Sequence, residues 1–187
     1  IAVPNAAFEP RDLMPDATEI WLEIGFGGGE HMAAQAGRHP HALILGAEPF
    51  VNGVASAVRH IEEQALGNVR IHEGDARDVL GWLPDACLTR VFIMFPDPWH
   101  KSKHHKRRLL TPDFVDLVAS RMKPEAVWRL ATDWEDYALQ MRQVLDHSEA
   151  FDNEHPGGWA PRWDARPTTR FEERGLEAGR SVFDLAY

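Results

Sequence analysis

Cysteine is almost absent: a single residue, Cys87, stands in a chain of 187. One thiol cannot close an internal disulfide or build a zinc site of several cysteines. Flanked by Ala86 and Leu88, it reads as a packing residue. No apolar run comes near the roughly 20 residues a helix needs to cross a bilayer. No charged-then-apolar leader opens the chain, so no secretory signal is expected. Net positive charge is missing as well, the formal charge being −9. An acidic body repels phosphate at long range, which argues against indiscriminate nucleic-acid binding. Internal repeats and low-complexity tracts are also absent. What remains is ordinary in composition, 44% hydrophobic and 26% charged, with a length that suits one domain and one sizeable core. We therefore expect a single domain over residues 1–187 in the cytoplasm. Because Ile1 is not an initiator methionine, we expect the natural start to lie upstream of it.

Short apolar runs alternate with segments of helical period. Ile20–Ile24, Leu43–Ala47, Val69–His72, Val91–Phe95, Ala126–Ala131 and Val182–Tyr187 read as buried strands. Between them, Phe50, Val54, Val58, Ile61 and Ala65 recur at spacings of three and four and so share one helix face. Phe114, Leu117, Val118 and Met122 form a second such face, and Tyr137, Met141, Val144 and Leu145 a third. Thr111-Pro112 is a helix start, a capping hydroxyl followed by proline. Thr132 and Glu135 have the spacing of a capping box. Alternation of this kind predicts an α/β fold with a doubly wound, mostly parallel sheet and helices on both faces. The stretch from Asn153 to Thr169, rich in Pro, Gly and Trp, reads as a long surface loop. Trp159 and Trp163 in it either close over a site or pin the loop to the body.

In such sheets ligands bind beyond the carboxyl ends of the strands. After the first strand comes Glu23-Ile24-Gly25-Phe26-Gly27-Gly28-Gly29. The dinucleotide spacing G-x-G-x-x-G fails here, because the closing position is Glu30 from one start and Met32 from the other. The pattern is acidic-x-G-x-G-x-G, which resembles the nucleoside-methionine loop of class I methyltransferases. Gly25 and Gly27 would let a ligand lie on bare backbone. The Glu23 carboxylate would hold an ammonium and would repel a pyrophosphate. Glu48 ends the second strand, where an acidic residue accepts from ribose hydroxyls. Asp75 and Ala76 follow the third, placed to meet an adenine amino group and ring nitrogen. Each alone is commonly a cap or a turn residue; their register at successive strand ends is the informative part.

The most apolar strand runs into Pro96-Asp97-Pro98-Trp99-His100-Lys101. Two prolines stiffen the backbone around Asp97, and Trp99 offers a flat wall. Beyond them Lys101, Lys103, Lys106, Arg107 and Arg108 fall within eight residues, with His104 and His105 between. A charge run is commonly a solvated face, but beside an Asp–Trp pocket it adds a phosphate-binding end to a base-recognition end.

The run Phe95–Lys101 followed by His104–Leu109 resembles the signature of the bacterial tRNA (guanine-N7-)-methyltransferases, the TrmB type. Thr169-Arg170-Phe171-Glu172 is similar to that family's T-[KR]-[FY]-E motif, and Ala131-Thr132-Asp133-Trp134 also matches. The resemblance spans nearly the whole chain. It implies a class I S-adenosyl-L-methionine methyltransferase, Rossmann-like, with a seven-stranded sheet. The implied reaction moves a methyl group to N7 of guanine-46 in the tRNA variable loop and leaves S-adenosyl-L-homocysteine. It implies cofactor contacts at Glu23, Glu48 and Asp75 and a catalytic carboxylate at Asp97. Substrate contacts fall at Lys101, Asp133, Thr169, Arg170, Phe171 and Glu172, and RNA contacts along Lys103, His104, His105, Lys106, Arg107 and Arg108. The expected partner is tRNA, with no membrane and no metal, for a monomer or homodimer. One departure is Glu125, which stands where the family commonly has Gly.

Other classes fit less well. A metal at His100, His104 and His105 would meet flanking cations and lacks a Cys or carboxylate ligand. A nicotinamide dehydrogenase needs the glycine spacing that fails. Adenine-N6 methyltransferases resemble D-P-P-Y or N-P-P-Y where this chain has Asp97-Pro98-Trp99-His100. A non-catalytic RNA-binding module has no use for three acidic residues in register.

Overall fold

In the computed structural model, which describes residues 1–187, the strand-forming runs assemble into one sheet. Its strands are β1 (Glu19–Ile24), β2 (Ala42–Glu48), β3 (Val69–Glu73), β4 (Leu88–Met94), β5 (Met122–Thr132) and β6 (Phe183–Ala186). The order is β3-β2-β1-β4-β5-β6. The first five run parallel, and β6 lies antiparallel to β5. β2 is buried at every position, as a strand covered on both faces must be.

The helices are α1 (Pro10–Leu13), α2 (Glu30–Arg38), α3 (Val51–Glu63), α4 (Ala76–Trp82), α5 (Pro112–Arg121), α6 (Glu135–Asp146) and α7 (Arg170–Glu177), with a 3-10 turn at Ser102–Arg107. They divide by face because strand side chains alternate. Leu22, Ile24, Leu43, Leu45, Val91 and Ile93 point to one side, where Val79 and Leu80 of α4, Phe114 and Val118 of α5, and Tyr137 and Met141 of α6 meet them. Trp21, Ile44, Phe92 and Met94 point to the other and bury Met32 and Ala36 of α2 with Ala57 and Ile61 of α3. β1 and β4 are thus the neighbours between which the chain's winding reverses, and a crevice opens at their carboxyl ends.

The structure corrects four expectations. The sheet has six strands, not seven. Chain that could extend it past β6 makes one bridge, Ala160 to Asp184, and a further backbone bond from Glu154 to Ala186. Pro156 and Pro161 in that stretch lack the N–H a ladder needs. Phe50 caps α3 and is 72% exposed, and Ala65 lies beyond the helix at φ +52°; neither joins the α3 core face. Thr132 and Glu135 form no capping box: α6 is capped by Trp134 without a side-chain bond. Phe95 leaves the strand, with φ +55°. The α5 start is as expected, Thr111 Oγ accepting from the Phe114 N–H at 3.3 Å with Pro112 following.

Candidate active site

A cavity of about 860 Å³ lies beyond the carboxyl ends of the parallel strands, built from the segments that follow β1, β2, β3, β4 and β5. Its first wall is the glycine loop, whose turn runs through Gly25 (φ +68°), Gly27 (φ +54°) and Gly29 (φ +81°). A Cβ on Gly25 would meet no atom within 4 Å and would enter open space at the cavity edge. A Cβ on Gly29 would strike Ala57 of α3 at 2.6 Å, so the helix behind presses the loop into place. Glu48, 4% exposed, ties the loop to β2. Its two oxygens accept from the Gly27 N–H at 2.8 Å and the Phe50 N–H at 2.9 Å. A carboxylate oxygen has a second lone pair, so both can still accept from a diol. Asp75 caps α4, accepting from the Arg77 N–H at 2.8 Å, and Ala76 opens the helix beside it. This acceptor set fits an adenosine better than a pyrophosphate, since the carboxylates of Glu48 and Asp75 both line that end and would repel an anion.

Glu23 is placed differently from its neighbours. It is 2% exposed, does not line the cavity, and bonds Nδ1 of His31 at 2.7 Å. It therefore lies under the glycine loop as a buried carboxyl group bonded to His31, not as an open contact. His31 was not legible as a partner, because only the turn into α2 brings it beneath the strand.

The opposite wall is the turn after β4. Phe95 and Trp99 both hold positive φ, +55° and +46°, a backbone state costly for bulky side chains. Pro96, exposed Asp97 and Pro98 lie between them and line the cavity. Arg108 braces this turn from behind. Its Nε donates to the Pro98 carbonyl at 2.8 Å, and its terminal nitrogens donate to Gln140 at 2.6 Å and Asp136 at 2.5 Å. Its guanidinium also sits 4.8 Å over the Tyr137 ring. With its side chain 1% exposed, Arg108 is removed from the RNA-contact set. Tyr137 accepts from the N–H groups of Leu109 and Leu110; burial pushes its phenol up to about 12.

The remaining basic run is open to solvent. Lys101, Lys103, Lys106 and Arg107 are exposed. Arg107 alone of them lines the cavity, with its guanidinium 4.9 Å over Trp99. The three histidines do not converge: His100 meets Trp134, His104 meets Trp99, and His105 lies 3.1 Å from Arg108.

α7 forms the roof. Arg170 and Phe171 line the cavity, with Arg174 a turn further on. A Cβ on Gly27 would meet the Phe171 ring at 2.9 Å, so that ring lies directly on the glycine loop. Thr169 and Glu172, expected to touch substrate, hold the helix instead. Thr169 caps α7, accepting from the Glu172 N–H at 3.3 Å. Glu172, 2% exposed, pairs with Arg162 at 3.0 Å and Arg166 at 3.2 Å. Arg166 also reaches Asp184 at 3.2 Å. Burial pushes the Asp184 carboxyl up and the Arg166 guanidinium down despite that pairing. Trp163 stacks on Phe92 at 5.6 Å and Trp159 packs on Phe183, so both tryptophans pin the loop to the body. Asp133, just past β5, lines the cavity and pairs with Arg180 at 2.7 Å. Arg174 and Arg180 had no signal in the linear sequence, since only the folding back of α7 brings them to the cavity.

Comparison with known proteins gives concordant results. A family described as "Putative methyltransferase" matches residues 17–185. A tRNA (guanine-N(7)-)-methyltransferase of Caulobacter vibrioides is 63% identical over 98% of this chain and 81% of its own length. One of Marinobacter nauticus is 43% identical over 98% of this chain and 78% of its own. Among solved structures, an antibiotic-related methyltransferase superposes with a TM-score of 0.68 at 18% identity, covering 94% of this chain and 90% of that one. That likeness establishes the Rossmann-like methyltransferase fold.

Proposed function

The chain belongs to the tRNA (guanine-N7-)-methyltransferase family, and on that premise we propose that it transfers a methyl group from S-adenosyl-L-methionine to N7 of guanine-46 in the variable loop of tRNA. It is an S-adenosylmethionine-dependent enzyme of that family, and a tRNA substrate would be met in the cytoplasm. The observation that carries the reading is a single cavity with a glycine loop and Glu48 at one end and Asp97, Trp99 and Asp133 at the other.

When bound, S-adenosyl-L-methionine supplies an electrophilic methyl group on a positively charged sulfur. Guanine N7 has an in-plane lone pair and no proton at neutral pH, so no general base is required of the protein. Its task is alignment, exclusion of water and electrostatics. The Gly25 and Gly27 backbone and Glu48 hold the adenosine end, with Asp75 and the Ala76 N–H toward the purine. Glu23 lies beneath the methionine end, with His31 fixing its orientation. Asp97 faces the target base. As positive charge moves onto the guanine ring, its carboxylate stabilises that ring and accepts from N1–H or the amino group. Asp133 shares the same edge, and Trp99 walls the base. Lys101, outside the cavity, serves a phosphate better than O6. Arg170 and Phe171 close the cavity from above.

The decisive experiment incubates the protein with labelled S-adenosyl-L-methionine and an unmodified tRNA transcript and then maps the labelled nucleoside. The expected product is 7-methylguanosine at position 46; label at another position refutes the site assignment. Asp97→Ala is expected to lower turnover about 100-fold or more while cofactor affinity, read by calorimetry, stays within about threefold of wild type, because Asp97 is on the base side. Retained turnover removes Asp97 from the catalytic role.

A further inference from the structure

Asp133 stands at the end of β5 with its carboxylate in the cavity, yet that carboxylate is already engaged. Arg180 Nε donates to its Oδ2 at 2.7 Å. The α7 backbone also closes on it, for a Cβ on Gly175 would fall 2.6 Å from the same oxygen. Both contacts arise from one local device. α7 ends in a Schellman turn, in which the Gly179 N–H donates to the Leu176 carbonyl at 2.9 Å and the Arg180 N–H to the Gly175 carbonyl at 3.0 Å. Gly179 takes the left-handed position at φ +71°, which that turn requires. The turn fixes the Arg180 backbone against the last turn of the helix, over Asp133.

The two ends of α7 are held unequally. The first turn is anchored by the Thr169 cap and by Glu172, which is 2% exposed between Arg162 and Arg166. The last turn reaches Asp133 through one ion pair whose side chains are 40% and 17% exposed. A pair so placed contributes well under the buried network and is readily exchanged.

We propose that Arg180 is the resident occupant of the base-recognition carboxylate. In the free enzyme its guanidinium takes the place on Asp133 that the N1–H and amino group of the target guanine occupy, and the incoming base displaces it. The chemistry of the exchange is like for like. A guanidinium is a planar array of N–H donors, and the Watson–Crick edge of guanine presents N–H donors in a plane as well. Adenine, with an acceptor at N1, offers no such replacement. Arg180 is therefore a positioning residue acting through Asp133, and it keeps that carboxylate paired until substrate arrives. It also reduces apparent substrate affinity by the fraction of time the carboxylate is occupied. The inference rests on the proposed role of Asp133 in reading guanine.

The test uses Arg180→Ala, Asp133→Ala and the double variant, with an unmodified tRNA transcript. Binding is measured at saturating S-adenosyl-L-homocysteine and turnover with S-adenosyl-L-methionine. Arg180→Ala is expected to tighten the tRNA Kd and lower its KM about two- to fivefold, the range of an exposed ion pair. The single-turnover rate should be unchanged. In the Asp133→Ala background the same substitution should leave Kd unaltered. Weaker tRNA binding in Arg180→Ala would mean that Arg180 itself touches RNA, and would overturn the proposal. So would an unchanged Kd, or an effect that persists without Asp133. Failure of the underlying reading shows in a separate arm, as Asp133→Ala alone leaving tRNA binding and rate intact.

Discussion

Arg107 and Arg108 are adjacent in sequence and opposite in setting. Arg107 is exposed over Trp99 at the cavity mouth, whereas Arg108 turns inward to brace the Pro98 carbonyl, Gln140 and Asp136. Removing Arg108 would leave the Pro98 carbonyl and the Gln140 oxygen without their donor, and an unsatisfied buried group costs roughly 1–3 kcal/mol. Asp136 is 61% exposed, so its loss of a partner adds little. Arg108→Ala is accordingly expected to lower stability by about 2–3 kcal/mol, read by thermal or urea unfolding. It should reduce turnover through the Asp97 turn and leave the salt dependence of tRNA binding as in wild type. A flattened salt dependence with unchanged stability would return Arg108 to the RNA surface. The charge run itself was legible in the sequence; its inward member was not. A cluster of like charges carries no record of which side chain meets carbonyls and carboxylates brought from α6. The same holds for Thr169 and Glu172, whose motif neighbours the cavity through Arg170 and Phe171 while their own side chains secure a helix and do not line it.

At the scale of elements, β5 contains an irregularity that the sequence had marked. Its pairing with β4 shifts between Leu88 and Arg90, and Glu125 within it holds φ +65°. A left-handed residue costs a non-glycine side chain about 1–2 kcal/mol, and glycine removes that strain while giving back roughly 0.5–1 kcal/mol of unfolded-state entropy. Glu125 is exposed, so no packing opposes the change. Glu125→Gly is expected to raise stability by about 0.5–1 kcal/mol with no effect on methyl transfer; a loss of stability would mean that the exposed carboxylate holds the bulge. The six strands were readable because buried strands are short apolar runs bounded by turn residues. α7 was not, since its eight residues hold little apolar surface and its two buried positions, Glu172 and Gly175, carry no hydrophobic period. Its existence depends on Arg162, Arg166 and Asp133 being brought to it. The missing seventh strand has the converse cause: the chain beside β6 is in position, but its prolines limit it to isolated bonds.

For the whole molecule the deciding feature is where charge lies relative to the cavity. The chain carries −9, yet Arg107, Arg170 and Arg174 line the cavity, and Lys101, Lys103 and Lys106 stand exposed beside its mouth. An acidic body with a cationic rim favours the approach of a polynucleotide at that rim, so the field that weakens general RNA affinity also orients the encounter. The two sides of the rim rest on different elements, the 3-10 turn after β4 and the helix α7, which reach the cavity from one wall and from the roof. Contacts to phosphate release counterions, and each one lost lowers the slope of log K against log salt by about 0.7–0.9. Lys103→Ala combined with Lys106→Ala is therefore expected to weaken binding of an unmodified tRNA transcript and to flatten that slope by about 1.4–1.8. Affinity for S-adenosyl-L-homocysteine, held at the glycine-loop end, should not change. Filter binding across a salt series checks both. If the slope is unaltered in the lysine variant but falls in Arg170→Ala combined with Arg174→Ala, the polynucleotide lies along α7 and the 3-10 turn faces solvent.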